Sequence, residues 1–398
     1  MTRMSFHIFA NAALGKGLSG GDRIFIEFAK RLRQKNKVII HVWKEGLEMC
    51  QRQGLTEGVS FELINVDRWC KFGFIACYLA RVLKSVWLAL FLNLDNSKDV
   101  ILFSASEFWM DSLPGFVLKL RYSKTKWVVG SFQAAPNPFK GFTEGSRENT
   151  YKFSAFVNWL VQLPIKPLIK GWADLVLVNN ESEKKYFKAL DKQHRVLVVL
   201  GAVNIDQINK FIKKEDLPKI YDAVFQGRFH PQKGVVELID IWKLVTEKLS
   251  GVQLAMIGDG PLFDAVKNRI KKLGLKDNIK LFGYVFDGDQ KYRIFSQSKI
   301  VVHPAFFDSG GMAAAEAMVF GLPCVGFDLE SYKSYYPKGM LKVEVGDLNK
   351  FAETILELLE NKIKRDQIGK QAKEMIDKSW SWDRRVDQLL FLLNRRKL

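Results

Sequence analysis

Short apolar runs alternate with longer amphipathic stretches along most of this chain, and the alternation begins afresh near its midpoint. That rhythm leaves few folds open. Strands buried on both faces read as unbroken apolar runs, and parallel strands need a crossover helix between them. In the first half the strand-like runs are Ser5–Phe9, Val38–Trp43, Val100–Phe103, Trp127–Val129, Leu175–Val178 and Val196–Leu200. In the second they are Ala223–Gln226, Gln253–Ile257, Ile279–Phe282, Ile300–His303 and Pro323–Phe327. The helix expected over Asp22–Leu32 places Ile24, Phe25, Phe28, Ala29 and Leu32 on one face. The pattern predicts an α/β protein built from two Rossmann-like, doubly wound parallel sheets. A length of 398 residues agrees, being long for a single core. The polar stretch Asn204–Lys219 predicts a linker and a division at 205/206.

Composition narrows the class further. With 47% hydrophobic and 26% charged residues the chain is globular. Its formal net charge of +18 is unevenly spread: residues 1–200 hold 29 Lys and Arg against 17 Asp and Glu, and residues 201–398 hold 32 against 26. A basic first half suits a phosphorylated substrate or an anionic membrane surface. No nucleic-acid-binding motif accompanies the charge, so no nucleic-acid partner is expected. Cys50, Cys70, Cys77 and Cys324 lack metal spacing or a paired framework, which predicts buried thiols in a reducing compartment. The first residues run directly into a strand without a signal-peptide pattern, which predicts a cytoplasmic protein. Phe72–Leu94 is apolar enough to suggest a membrane span, but Arg81 and Lys84 interrupt it. Each would cost about 2.5–3.5 kcal/mol at a bilayer centre, so a buried or interfacial helix is expected.

Two loops in the second half carry chemistry. Gly227-Arg228-Phe229-His230-Pro231-Gln232-Lys233-Gly234 sets two cations between a strand and a helix, an arrangement suited to a diphosphate. His303-Pro304-Ala305-Phe306-Phe307-Asp308-Ser309-Gly310-Gly311-Met312 leads into a helix bearing Glu316. Backbone N–H groups at Gly310 and Gly311 could meet an anion or a hydroxyl. Glu316 lies in the apolar run Ala313-Ala314-Ala315-Glu316-Ala317-Met318, where an unpaired charge is costly. Cations for phosphate and carboxylates for hydroxyls together suit a sugar nucleotide.

These residues form part of an ordered series. Gly227–Gly234 is followed by Ile257-Gly258-Asp259-Gly260-Pro261, Leu281-Phe282-Gly283-Tyr284-Val285, His303-Pro304, and Asp308 to Glu316-Ala317-Met318. Gly321-Leu322-Pro323 and Trp380-Ser381-Trp382 complete it. The series resembles glycosyltransferase family 4, within the glycosyl transferases group 1: retaining, nucleotide-sugar-dependent enzymes of the GT-B fold. In the first half the resemblance rests on Gly17-Leu18-Ser19-Gly20-Gly21-Asp22 and Ala173–Glu183. It implies a 1–205 acceptor domain and a 206–380 nucleotide-sugar domain facing across a cleft, with helix 381–398 crossing back to the first. It implies that Arg228 and Lys233 neutralise the donor diphosphate and that Asp308 contacts the transferred sugar. Glu316 would hold the ribose, backbone at Gly310, Gly311 and Met312 would line the sugar and phosphate, and Gly258, Tyr284 and Val285 would border the nucleotide. Gly20 and Gly21 would let backbone approach the phosphates.

Two positions depart from the family pattern. Asp308 stands where Glu is usual, and Gln133 stands nearest the slot, on the acceptor side, where many members carry His. The implied activity is hexosyl transfer, with retention, to a glycan or lipid-linked acceptor in cell-surface polysaccharide, lipopolysaccharide or glycolipid synthesis. A sugar-nucleotide epimerase and a catalytically impaired GT-B binding protein are the alternatives. Asp287-Gly288-Asp289 resembles a metal-binding Asp-x-Asp but reads as a solvated acidic turn, and no metal or other cofactor is expected. Aromatic residues interleave with Lys and Arg in Phe72–Leu94, Phe139–Phe142 and Tyr151–Trp172, which suits peripheral attachment to an anionic membrane surface.

Overall fold

A computed structural model describes residues 3–14, 18–132, 135, 152–199, 201–215, 217–308 and 312–394. The chain divides into two compact units. The first holds the strands up to residue 198 and, from Trp382, the last helix; the second runs Gly201–Ser381.

The first unit contains β1 (Ser5–Phe9), β2 (Lys37–Val42), β3 (Ser60–Leu63), β4 (Val100–Ser104), β5 (Lys126–Ser131), β6 (Leu175–Val178) and β7 (Val196–Val198). They form one sheet in the order β3-β2-β1-β4-β5-β6-β7. The second unit contains β8 (Tyr221–Gln226), β9 (Leu254–Ile257), β10 (Ile279–Gly283), β11 (Ser298–His303), β12 (Cys324–Phe327) and β13 (Met340–Val343). Their order is β10-β9-β8-β11-β12-β13. Every strand pair is parallel. The expected pair of doubly wound sheets is therefore present. In each, strand order reverses once, between β1 and β4 and between β8 and β11. Ligands of open α/β sheets bind in the crevice beyond the carboxyl ends of such strands.

The sequence reading missed β3 and β13, and both are edge strands. An edge strand is covered on fewer sides and needs no unbroken apolar run. Ser60-Phe61-Glu62-Leu63 is largely exposed, and Met340-Leu341-Lys342-Val343 is buried only at its ends.

The expected linker is also different. Helix Ile205–Lys214 occupies most of it, burying Ile208 and Phe211, with Phe211 edge-on to Tyr292 at 5.6 Å. Its charged residues are the solvent face of an amphipathic helix. The cysteines need a second correction, since a disulfide joins Cys70 to Cys77, which lies in the first turn of helix Phe74–Phe91. Cys50 and Cys324 are buried free thiols, and burial pushes the Cys50 thiol up to about 12.

His7 and His41 are structural. They stack across β1 and β2 with Nδ1 and Nε2 3.2 Å apart, and burial pushes their pKa values down to about 4 and about 3. Helix Gly20–Leu32 begins at a capping box in which Asp22 N–H donates to the Ser19 hydroxyl. Its buried face receives the last helix: Trp382 lies edge-on to Phe28 at 6.3 Å, and Arg31 Nε meets Asp383 Oδ1 at 3.0 Å. That helix spans Trp382–Asn394. Trp382 is fully buried, so Trp382→Ala should cost about 3–5 kcal/mol in chemical denaturation. Exposed Asp387→Ala should leave the same transition unmoved. Equal stability of the two variants would show that the last helix is not held by this contact.

Candidate functional site

The site begins where β8 ends. Gly258 N–H donates to the Gly283 carbonyl at 2.8 Å, and Gly227 N–H donates to the Ile257 carbonyl at 3.1 Å. A Cβ on Gly258, whose φ is +147°, would stand 1.9 Å from the Gly227 oxygen. Gly258 is thus a glycine because the ends of β8 and β9 touch there, and it supports the turn that presents Arg228. Arg228 is exposed and has no ion pair among the described residues. Beyond it, Pro231–Lys233 forms one 3-10 turn, with His230 Nδ1 accepting from Gln232 N–H.

The two loops foreseen from sequence meet directly. The Gln232 carbonyl accepts from Phe306 N–H at 2.8 Å and from Phe307 N–H at 3.2 Å. Gly234 has φ +61°, and a Cβ there would fall 2.0 Å from the Pro304 oxygen. This approach brings Lys233 Nζ within 2.7 Å of Asp308 Oδ2. The same oxygen receives His303 Nε2 at 2.9 Å and the Tyr332 hydroxyl at 3.0 Å, while Ser331 Oγ donates to the Asp308 carbonyl.

Protonation follows from this geometry. Burial alone would raise the Asp308 pKa, but the charge of Lys233 and the hydrogen bond from His303 hold it well below the usual carboxylate range. Burial lowers the His303 pKa, which keeps the ring neutral at ordinary pH. An ionised carboxylate accepts only, so the His303 proton sits on Nε2. Nδ1 of that ring is buried without a partner among the described residues. Burial, and then Asp308, push the Tyr332 phenol well above its usual value, so it remains a donor. Lys233, His303 and Tyr332 therefore converge on one carboxylate oxygen that stays negative.

Glu316 is buried on helix Met312–Met318 and is paired, as its apolar surroundings require. Its Oε2 receives Lys291 Nζ at 2.6 Å and Gln226 Nε2 at 3.0 Å. Lys291, whose side chain is 1% exposed, also pairs with Asp287. The expected solvated turn at Asp287-Gly288-Asp289 is thus anchored at Asp287. Sequence reasoning missed Lys291, Gln226 and Tyr332. The spacing Asp287 to Lys291, i to i+4 at a helix start, was the one local signal for Lys291.

The remaining candidates are placed unevenly. Tyr284 is 44% exposed and meets Phe286 edge-to-face at 4.9 Å, an open aromatic pair beyond β10. Val285 is buried and contributes packing. Met312 opens its helix, half-buried. Gly20 and Gly21 open helix Gly20–Leu32 in the other unit. Gln133, Gly310 and Gly311 lie outside the described residues, as do Phe139–Phe142.

The residues around the β8/β11 reversal can hold an anion through Arg228 and Lys233 and hydroxyls through Asp308 and Glu316. Residues 206–375, less than half of the chain, match the family described as Glycosyl transferases group 1. A poly(ribitol-phosphate) alpha-N-acetylglucosaminyltransferase of Staphylococcus aureus is 26% identical over 54% of this chain. The chain spans about half of that relative, 46% of its length. Among solved structures, Anabaena Alr3699/HepE in complex with UDP and glucose superposes with a TM-score of 0.70 at 16% identity. It covers 99% of this chain and 100% of its own. An S. aureus TarM variant bound to UDP, fondaparinux and alpha-GlcNAc-glycerol gives 0.72 at 13% identity, covering 99% and 100%. The architecture is that of the GT-B glycosyltransferases.

Removing Lys291 while keeping Glu316 would leave a buried charge without its cation. Lys291→Met should cost about 3–5 kcal/mol in chemical denaturation. Adding Glu316→Gln should recover most of that loss. A double variant no more stable than Lys291→Met would show that the pair does not hold this helix in place.

Proposed function

We propose that the chain, whose residues 206–375 match the glycosyl transferases group 1 family, transfers a hexosyl group from a nucleoside-diphosphate sugar, with retention, to a glycan or lipid-linked acceptor. The observation that carries the reading is the charge layout at the β8/β11 reversal. Arg228 is exposed on the same loop, five residues before Lys233, and Lys233 touches the largely buried carboxylate of Asp308. Breaking the glycosidic bond places negative charge on the departing diphosphate and positive charge on the anomeric carbon. Arg228 and Lys233 therefore gain strength as the bond breaks, where stabilisation accelerates the step. Asp308, kept ionised by its donors, accepts hydroxyls of the transferred sugar. Glu316, held by Lys291 and Gln226, takes the ribose, and Tyr284 with Phe286 offers an aromatic surface to the base.

A uridine donor is favoured because HepE and TarM hold UDP, and retention because the staphylococcal relative is named for an alpha linkage. The acceptor proton passes to the departing phosphate oxygen, so Gln133 need not act as a base. No metal is assigned, because Arg228 and Lys233 supply the positive charge and Asp287 is engaged by Lys291. The acceptor belongs to cell-surface glycan or glycolipid synthesis and is met at the cytoplasmic face of a membrane, which suits the basic first half.

Calorimetric titration with UDP and with uridine tests the reading. Arg228→Ala should weaken UDP by about 10- to 100-fold, the scale of a charge-assisted phosphate contact, and leave uridine unchanged. Equal UDP affinity in parent and variant would remove the phosphate role. An inverted product from an alpha-linked donor would remove retention.

A further inference from the structure

Helix Phe74–Phe91 is long and apolar enough, by length and composition, to cross a bilayer. It is nevertheless fixed to the first sheet by its own charge. Arg81 is buried, donating from Nη1 to the Asn11 carbonyl at 3.0 Å with its guanidinium 4.6 Å from the centre of the Trp43 ring. Cys77, Ala80, Ser85 and Ala89 face inward with it. Spanning a membrane would tear Arg81 from the end of β1.

The opposite face is bare. Phe72, Ile75, Leu79, Leu83, Trp87 and Phe91 recur every three or four residues as a single stripe, all exposed, with Leu83 at 68%. An 18-residue helix makes that stripe about 27 Å long. Helices Trp109–Arg121 and Ile165–Trp172 lie in the same layer, since Ala89, Leu118, Ile165 and Ile169 share one core. Arg121 Nη1 ties the first of these to the Ala89 carbonyl at 2.6 Å. They carry the exposed apolar residues Leu120 and Trp172.

The charge around this surface identifies its occupant. From Arg68 to Leu94 there is no Asp or Glu, and Arg68, Lys71 and Lys84 are exposed. From Lys152 to Trp172 there is again no acid, and Lys170 is exposed. An apolar stripe with Trp on it, carrying Lys and Arg along its length and the acids Asp67 and Asp95 only at its two ends, matches a bilayer of anionic lipids, with aromatic rings at headgroup depth and Lys and Arg at the phosphates. We propose that helix Phe74–Phe91 lies in the plane of an anionic membrane, its Phe72–Phe91 stripe buried among the headgroups and Arg81 pinning it to the fold. This deepens the acceptor reading above, and rests on it only for what the attachment serves.

Vesicle flotation tests the proposal with the whole chain. The parent should float with phosphatidylcholine vesicles containing about 30% phosphatidylglycerol and remain below with phosphatidylcholine alone, binding less at high salt. Leu83→Glu/Trp87→Glu should lower partitioning at least about 10-fold, and Lys71→Glu/Lys84→Glu should weaken it and flatten the salt dependence. Both variants should keep the parent's thermal shift with UDP, which separates this test from the donor reading and shows that they fold. A parent that ignores anionic vesicles, or stripe variants that float like the parent, would overturn the proposal. So would a parent that is dimeric by light scattering when Leu83→Glu/Trp87→Glu is monomeric, since a second copy would then cover the stripe.

Discussion

The second unit depends on one close crossing of backbone. The loop after β8 and the loop after β11 approach until Gly234 leaves no room for a Cβ beside the Pro304 carbonyl, and the Gln232 carbonyl binds two amides of the facing loop. Lys233 and Asp308 meet as a consequence, and Asp308 then collects His303 and Tyr332. A parallel sheet with this strand order opens a crevice between β8 and β11 in any case. The crossing decides which charges face it. It also explains how a largely buried carboxylate stays ionised: the charge of Lys233 and the hydrogen bond from His303 outweigh the cost of burial.

Glu316 follows the same logic at a second position. A carboxylate near the start of an alanine-rich helix is tolerable only with a partner, and Lys291 supplies it while also holding Asp287. The site is thus bordered by two ion pairs, Lys233–Asp308 across its two loops and Lys291–Glu316 between two helices, with Arg228 left exposed. That difference in partners separates residues that shape the site from the one most available to an incoming anion.

Much of this was legible in the sequence, and the failures share a cause. Core strands such as Leu175–Val178 announce themselves because both faces are buried, whereas Ser60–Leu63 and Met340–Val343 lie at sheet edges and carry no such run. Arg228, Lys233, Asp308 and Glu316 stood out because charges beside glycine turns or in apolar runs need a reason. Lys291 did not, because a lysine in Asp289–Ser296 looks like any solvated helix residue until Glu316 is folded against it. Helix Ile205–Lys214 was hidden by its charge, although Ile205, Ile208, Phe211 and Ile212 keep helical spacing. The partners of a buried charge are long-range facts, and spacing along the chain carries only the local ones.

The central claim is that Lys233 and Asp308 act as one coupled unit across the two loops. A double-mutant cycle of unfolding free energies, with Lys233→Met, Asp308→Asn and the pair together, measures it most directly. The account predicts a coupling of about 1.5 kcal/mol or more, with the double variant less damaged than the sum of the single ones. Simple additivity, within about 0.3–0.5 kcal/mol, would contradict it.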